Sequence, residues 1–111
     1  MEPMSHDLFR EGDRRAFTRY RVTMPLVVLL GDHRISAYTR DVSEHGVFFL
    51  VDSGDEGRIQ NQIEFLIDFP PEVTLSAYCS VRCSGIVVRK ERSLNLLTGM
   101  GARILQYSIS V

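Results

Sequence analysis

The sequence has no tryptophan, a single lysine, two cysteines and no long apolar run in its 111 residues. The apolar run Pro25–Leu30 is far shorter than the roughly 20 residues of a membrane-spanning helix, which argues against a membrane protein. His6, Asp7 and Glu11 stand where a secretory signal would need an apolar core. With 44% hydrophobic and 24% charged residues, we expect one soluble, cytoplasmic domain without membrane insertion.

The two cysteines argue against a disulfide or a thiolate metal site. Cys79 and Cys83 fall on the apolar phase of one predicted strand, roughly 13 Å apart at about 3.4 Å per residue, which is too far for a disulfide. Two thiols without a nearby histidine make no metal site. We therefore expect both cysteines to be small core residues.

The sequence also lacks the motifs of common catalytic and cofactor sites. No P-loop or dinucleotide-binding fingerprint occurs, and the three histidines stand in polar arm or turn segments without a recognisable nucleophile and base. The paired carboxylates Asp55 and Glu56 lie in an acidic loop that we expect to be solvated. We predict that the protein is not an enzyme and has no catalytic residue, no metal site and no cofactor.

Arginine supplies almost all of the positive charge and is unevenly distributed. Twelve of the 13 basic residues are arginine, whose planar fork suits phosphates, carboxylates and the edge of guanine. Residues 41–72 carry eight acids and one arginine, whereas residues 73–111 carry five basic residues and one acid. GC-rich coding offers a simple alternative explanation for the number of arginines, but not for their clustering.

Alternating apolar residues predict β-strands from Tyr20 onward. Gly31-Asp32 predicts a two-residue type II′ hairpin turn, because glycine takes the positive φ that this turn requires. In the longest alternation, Gly85 is the predicted position of a bend or bulge. The predicted strands cover approximately residues 22–30, 34–42, 46–51, 63–69, 73–87 and 98–105. Six short strands without an amphipathic helix predict an all-β fold, a six-stranded antiparallel barrel that is closed or nearly closed.

An arginine motif lies between a polar N-terminal segment and the first strand. The segment reads Arg14-Arg15-Ala16-Phe17-Thr18-Arg19, and residues four apart, such as Arg15 and Arg19, fall near one face of a helical turn or an extended chain. Two converging guanidinium groups can grip a phosphate, or one can pair with O6 and N7 of guanine. The alternative is a solvated basic arm that only adds solubility.

A second motif connects the second and third predicted strands. In Asp41-Val42-Ser43-Glu44-His45-Gly46, the Asp and Ser side chains suit a tight turn in which glycine takes the strained position. This motif therefore has a purely structural interpretation. In the functional interpretation, the Asp41 carboxylate accepts the N1–H and N2–H donors of guanine, and the Ser43 hydroxyl adds a polar contact.

The two motifs together resemble the PilZ domain family, a bacterial receptor module for cyclic di-GMP, a nucleotide second messenger. The family pattern is RRxxxR, followed some twenty to thirty residues later by [DN]xSxxG, and here Asp41 follows Arg19 by 22 residues. Residues 46–49 and the closing segment 99–105 are also similar to the family. The resemblance covers about residues 10–106.

The resemblance implies a PilZ-like barrel that starts near residue 14, with an arginine-bearing arm wrapping over the ligand. The arginines would contact guanines and phosphates, the aspartate and serine would contact a base, and the glycine would hold the turn. Carried over to this sequence, the expected ligand-binding residues are Arg14, Arg15, Arg19, Asp41, Ser43 and Gly46. We expect residues 1–13 to be a flexible N-terminal arm and residues 14–111 to form the single domain.

The resemblance also implies how such a protein would act. Many members continue into a C-terminal helix, but only residues 106–111 remain after the last predicted strand, so we expect little or no such helix. We expect a stand-alone receptor, a monomer or weak homodimer, that moves its arm on binding and signals through an unidentified downstream protein. The alternatives are a PilZ-like interaction module that binds no nucleotide, and a barrel for single-stranded nucleic acid, which the acidic middle third disfavours.

Overall fold

The alternating apolar residues of the sequence form β-strands in the computed structural model. The structure describes residues 21–71, 79–92 and 95–110. The predicted arm and the N-terminal half of the fifth predicted strand lie outside these residues. A single 3₁₀ turn, Glu56–Arg58, is present in the loop after the third strand. The six strands are β1 (Pro25–Leu30), β2 (His33–Val42), β3 (Gly46–Asp52), β4 (Gln62–Phe69), β5 (Cys79–Arg92) and β6 (Leu97–Ser110).

The strands close into one antiparallel barrel in the order β1-β2-β3-β6-β5-β4. The predicted fold class is therefore confirmed. β6 remains a strand as far as Ser110, in place of a C-terminal helix. Within the described ranges, no helix is long and apolar enough to pass through a bilayer.

The interior of the barrel is filled by one apolar side-chain cluster. Phe49 of β3 and Phe65 of β4 are both fully buried, with ring centroids 6.2 Å apart. Burying one such side chain contributes about 1.5–3 kcal/mol, so the cluster is a main source of stability.

The two cysteines differ in burial. Cys83 belongs to the apolar cluster, and burial raises the pKa of its thiol to about 12. Cys79 is only half-buried, so the core prediction holds fully for one cysteine.

The hairpin prediction at Gly31-Asp32 is confirmed, whereas the first strand starts later than predicted. Gly31 has φ of 63°, and Leu30 pairs directly with His33 across the two-residue turn. The strand begins at Pro25 rather than near Val22. Before it, the Thr39 N–H still donates to the Met24 carbonyl, but the second bond of this pair comes from a side chain. Thr39 Oγ1 accepts a 2.9 Å hydrogen bond from the Met24 N–H and donates to the Val22 carbonyl.

Two register shifts interrupt the pairing of β5 with β6. At the first, Ser84 pairs with Gln106 and Gly85 with Ile104, so that the extra residue is Leu105. An irregularity thus lies at Gly85 as predicted, but the strand that bulges is β6 and not β5. A Cβ at Gly85 would lie 2.4 Å from the Arg103 carbonyl oxygen, so the close approach of β6 requires glycine there. The second shift lies between residues 87 and 89 of β5.

The acidic loop after β3 is tied to the barrel. Glu56 was expected in a solvated loop, but its side chain is only 13% exposed. The carboxylate accepts hydrogen bonds from Arg92 Nε at 3.2 Å and from Thr98 Oγ1 at 3.1 Å. The strand β5 supplies this contact because it continues to Arg92, beyond the predicted strand end near residue 87.

Candidate ligand site

The structure describes half of the predicted ligand-binding residues. Asp41 lies near the end of β2, Ser43 lies in the turn, and Gly46 begins β3. These three positions place the second motif at one end of the barrel. The other three predicted residues lie outside the described part of the chain, and their contacts stay predictions: Arg14, Arg15 and Arg19.

A bulge in β2 determines which way Asp41 points. Thr39 pairs with Phe49, a core residue, and Asp41 pairs with Phe48, so that Arg40 is an extra residue without a partner on β3. Strict alternation would have placed Asp41 on the inner face with Thr39. Because the bulge adds one residue, Asp41 lies on the outer face of the barrel instead.

The Asp41 carboxylate is buried although it is on the outer face. Only 6% of the residue is exposed, and Arg40 Nε donates a 3.2 Å hydrogen bond to its Oδ2. A carboxylate accepts hydrogen bonds through both oxygens and several lone pairs. Asp41 is thus an anchored acceptor at the edge of the outer surface.

Ser43 organises the turn through its hydroxyl group. Its Oγ accepts hydrogen bonds from the backbone N–H groups of Gly46 at 3.2 Å and His45 at 3.3 Å, and its own N–H donates to the Gly46 carbonyl at 2.8 Å. The structural interpretation of this serine is therefore correct. The prediction that Gly46 takes a strained conformation is wrong, since Gly31 is the one glycine of the described ranges with a positive φ.

A cleft of about 340 Å³ adjoins this turn on the outer face. It extends from the turn across β3 and β6 to β5. Arg89 and Arg103 both line it, and neither is among the predicted ligand-binding residues. The lining residues are His45, Gly46, Val47, Phe48, Val88, Arg89, Gly101, Ala102 and Arg103.

Arg89 was missed because a second bulge reverses the face on which it lies. Val87 pairs with Ala102, a core residue, and Arg89 pairs with Gly101, so that Val88 is the extra residue. Strict alternation would have turned Arg89 inward with Val87. Arg103 needs no bulge, because alternation along β6 already places it outside, between two buried neighbours. That pattern was the available signal for Arg103.

The floor of this surface is Phe48, which is 1% exposed although its neighbours Val47 and Phe49 face the core. The guanidinium carbon of Arg40 lies 3.9 Å from the centroid of its ring, and that of Arg89 lies 4.9 Å away. Both distances are within the range of cation–π attraction. The aromatic ring thus holds two guanidinium groups beside the cleft.

A larger groove of about 710 Å³ lies elsewhere on the barrel, between β1, β4 and β5. Its charged lining residues are Arg34, Glu64 and Arg82, the last two joined by a 2.7 Å ion pair. Of the predicted ligand residues that the structure describes, Asp41, Ser43 and Gly46, none lines it. We therefore assign the candidate site to the smaller cleft, which contains Gly46 and adjoins Asp41.

Comparison with known proteins gives a family and a similar fold. The sequence matches the PilZ domain family over residues 13–110. Among solved structures, the chain is similar to the Bacillus subtilis inhibitor of motility, MotI/DgrA, with a TM-score of 0.69 and 14% identity. The match covers 86% of this chain and 44% of that one, so this chain spans less than half the length of that protein. No curated protein matches. The family match over nearly the whole chain shows that this protein belongs to the PilZ domain family.

Proposed function

We propose that this protein is a cytoplasmic cyclic di-GMP receptor and adaptor that carries out no chemical reaction on its ligand. The observation that carries the proposal is the outward-turned Asp41 beside a cleft lined by arginines. Membership of the PilZ family supports it, because the family's cyclic di-GMP motifs are intact in this sequence.

The chemistry of the ligand matches the residues of the site. Cyclic di-GMP offers two phosphates and two guanines, and guanine presents N–H donors on one edge and the acceptors O6 and N7 on the other. The Asp41 carboxylate suits the donor edge. The motif residues Arg14, Arg15 and Arg19 suit the acceptor edge and the phosphates. Ser43 holds the turn and so keeps Asp41 in place.

The proposed signal is a change in the position of the N-terminal segment. Arginines bound to a ligand on the barrel would restrict residues 1–19, which changes the surface offered to a downstream protein. Hydrogen–deuterium exchange of residues 1–20 tests this part, and we expect slower exchange with cyclic di-GMP present. Exchange that is unchanged at saturating ligand would contradict the movement but not the binding.

Calorimetric titration with cyclic di-GMP tests binding directly, with GTP and cyclic GMP as controls. We expect specific binding with a Kd of about 1 μM or tighter, equivalent to about −8 kcal/mol. The stoichiometry separates one bound ligand from a stacked pair, and chromatography of the recovered ligand should show it unchanged. A folded sample that binds none of the three nucleotides would contradict the receptor and favour the nucleotide-independent interaction module.

A further inference from the structure

Two arginines outside the recognised motifs line one cleft from neighbouring strands. Arg89 of β5 and Arg103 of β6 both reach the cleft beside the motif turn. Within the described ranges, Arg103 has no carboxylate partner in ion-pair distance, so its charge is uncompensated there. Two guanidinium groups around one cleft make a site of positive potential that favours an anion.

The single ion pair of Arg89 can be displaced by a ligand. Its Nε lies 3.2 Å from Glu91 Oε2, and both side chains are 52% exposed. Such exposed pairs contribute little to stability, because water screens them. An anion that entered the cleft and met both Arg89 and Arg103 would replace one weak contact with two charge-assisted ones.

Phe48 positions the Arg89 guanidinium before any ligand arrives. The ring centroid lies 4.9 Å from the guanidinium carbon, and the ring is itself immobilised by burial against Gly99. The Gly101 backbone lies beneath the Arg89 side chain, where even a Cβ would be only 3.5 Å from Arg89 Cβ. A side chain held in this way loses less conformational freedom on binding, which favours affinity.

We propose that Arg89 and Arg103 bind a phosphate of the ligand, so that the barrel contributes its own anion-binding residues in addition to the N-terminal arginine motif. Phe48 acts as a positioning residue for Arg89. The inference rests on the proposed function, because it takes the phosphates of cyclic di-GMP as the anion. It extends that function by assigning two residues that neither motif contains.

The test compares the full-length parent with single variants by calorimetric titration of cyclic di-GMP. We expect Arg89→Ala and Arg103→Ala each to raise the Kd about tenfold or more, as for the loss of a charged hydrogen-bond partner. Arg89→Lys should fall between Arg89→Ala and the parent, because lysine keeps the charge and lacks the planar fork. Thermal unfolding of every variant checks that the barrel is intact.

Arg82→Ala is the matched control. Arg82 is an exposed arginine of the same strand that also forms an ion pair, but it lies in the other groove. We expect its Kd to equal that of the parent. An equal loss in the control and in Arg89→Ala would show a general effect of net charge and would overturn the inference.

A double variant tests the role of Phe48. If Phe48 acts through Arg89, Phe48→Leu should weaken binding, and Phe48→Leu with Arg89→Ala should bind nearly as Arg89→Ala does, since coupled residues are not additive. Losses that multiply would refute the positioning role.

The single variants decide the phosphate site. If the parent binds cyclic di-GMP and Arg89→Ala and Arg103→Ala bind it equally tightly, the phosphate site is overturned while the proposed function stands. A folded parent that does not bind overturns the proposed function and this inference with it.

Discussion

The guanidinium carbon of Arg40 lies 3.9 Å from the centroid of the Phe48 ring, although Arg40 is the one residue of this part of β2 that pairs with nothing on β3. The bulge frees Arg40 from the strand ladder, and its side chain then covers Phe48 while its Nε holds Asp41. One irregular residue therefore links the aromatic floor of the site to its carboxylate.

Arg40→Ala should destabilise the barrel without unfolding it. The buried Asp41 carboxylate would lose a charge-assisted hydrogen bond and Phe48 would lose a cation–π contact, so we expect the free energy of unfolding to fall by about 1–3 kcal/mol. Urea denaturation measures this change. Arg34→Ala, at an exposed position of the same strand, is the control and should change stability little. Equal stability of the two variants would show that the stack contributes nothing.

Gly99→Ala should displace Phe48. A Cβ at Gly99 would lie 2.3 Å from Phe48 Cζ, whereas a Cβ at Gly101 would have its nearest neighbour at an ordinary 3.5 Å. Overpacking of this kind costs about 1–3 kcal/mol, so thermal unfolding should separate Gly99→Ala from the matched Gly101→Ala. Phe48→Leu should relieve the clash, and Gly99→Ala should then cost less in that background. The prediction fails if the two glycine variants melt together.

Stability should depend on pH through Glu56. The hydrogen bond from Arg92 is the main cause that holds the pKa of this carboxyl below its ordinary 4.5, while desolvation opposes it and a hydrogen bond from Thr98 assists. Because the pKa is lower in the folded state, Glu56 stabilises the fold fully above pH 4.5, and this contribution is lost as the pH falls through the folded-state value.

Comparison with Glu56→Gln isolates this effect. Urea unfolding of the parent and the variant between pH 7 and pH 3 should show a stability difference that shrinks at the acidic end, since protonated glutamate and glutamine are both neutral. Glu64→Gln removes an exposed carboxylate whose ion pair with Arg82 is screened by water, and it should show a smaller difference throughout. A Glu56→Gln difference that stays constant down to pH 3 would contradict the assignment.

Binding of cyclic di-GMP should require residues of both motifs. We expect Arg15→Ala and Arg19→Ala each to raise the Kd about tenfold or more, with little change in melting temperature. Asp41→Ala should weaken binding as well and also lower the melting temperature, because its carboxylate is buried and bonded to Arg40. Calorimetry paired with thermal unfolding measures both effects. Unchanged affinity of Arg19→Ala would remove the arginine motif from the site.

Local sequence patterns predicted most of the fold. Alternation identified six strands, and Gly31 marked a hairpin turn because a two-residue turn there needs a positive φ. Gly85 marked the place where a neighbouring strand approaches too closely for a side chain. Strand ends were predicted less well, since the Thr39 side chain replaces one backbone hydrogen bond before β1. At the other end, β5 extends to Arg92, which bonds Glu56. These contacts join residues far apart in the sequence.

The family, the barrel and the two motifs can be identified from the amino-acid sequence, because motif spacing and alternation are local properties of the chain. Which charged residues meet depends on how the strands pair. Bulges at Arg40 and Val88 reverse the face of Asp41 and Arg89, and a pattern of period two does not reveal an extra residue that only strand pairing creates. The pairing of β3 with β6 and of β6 with β5 then brings Phe48 and Arg89 together and forms the cleft.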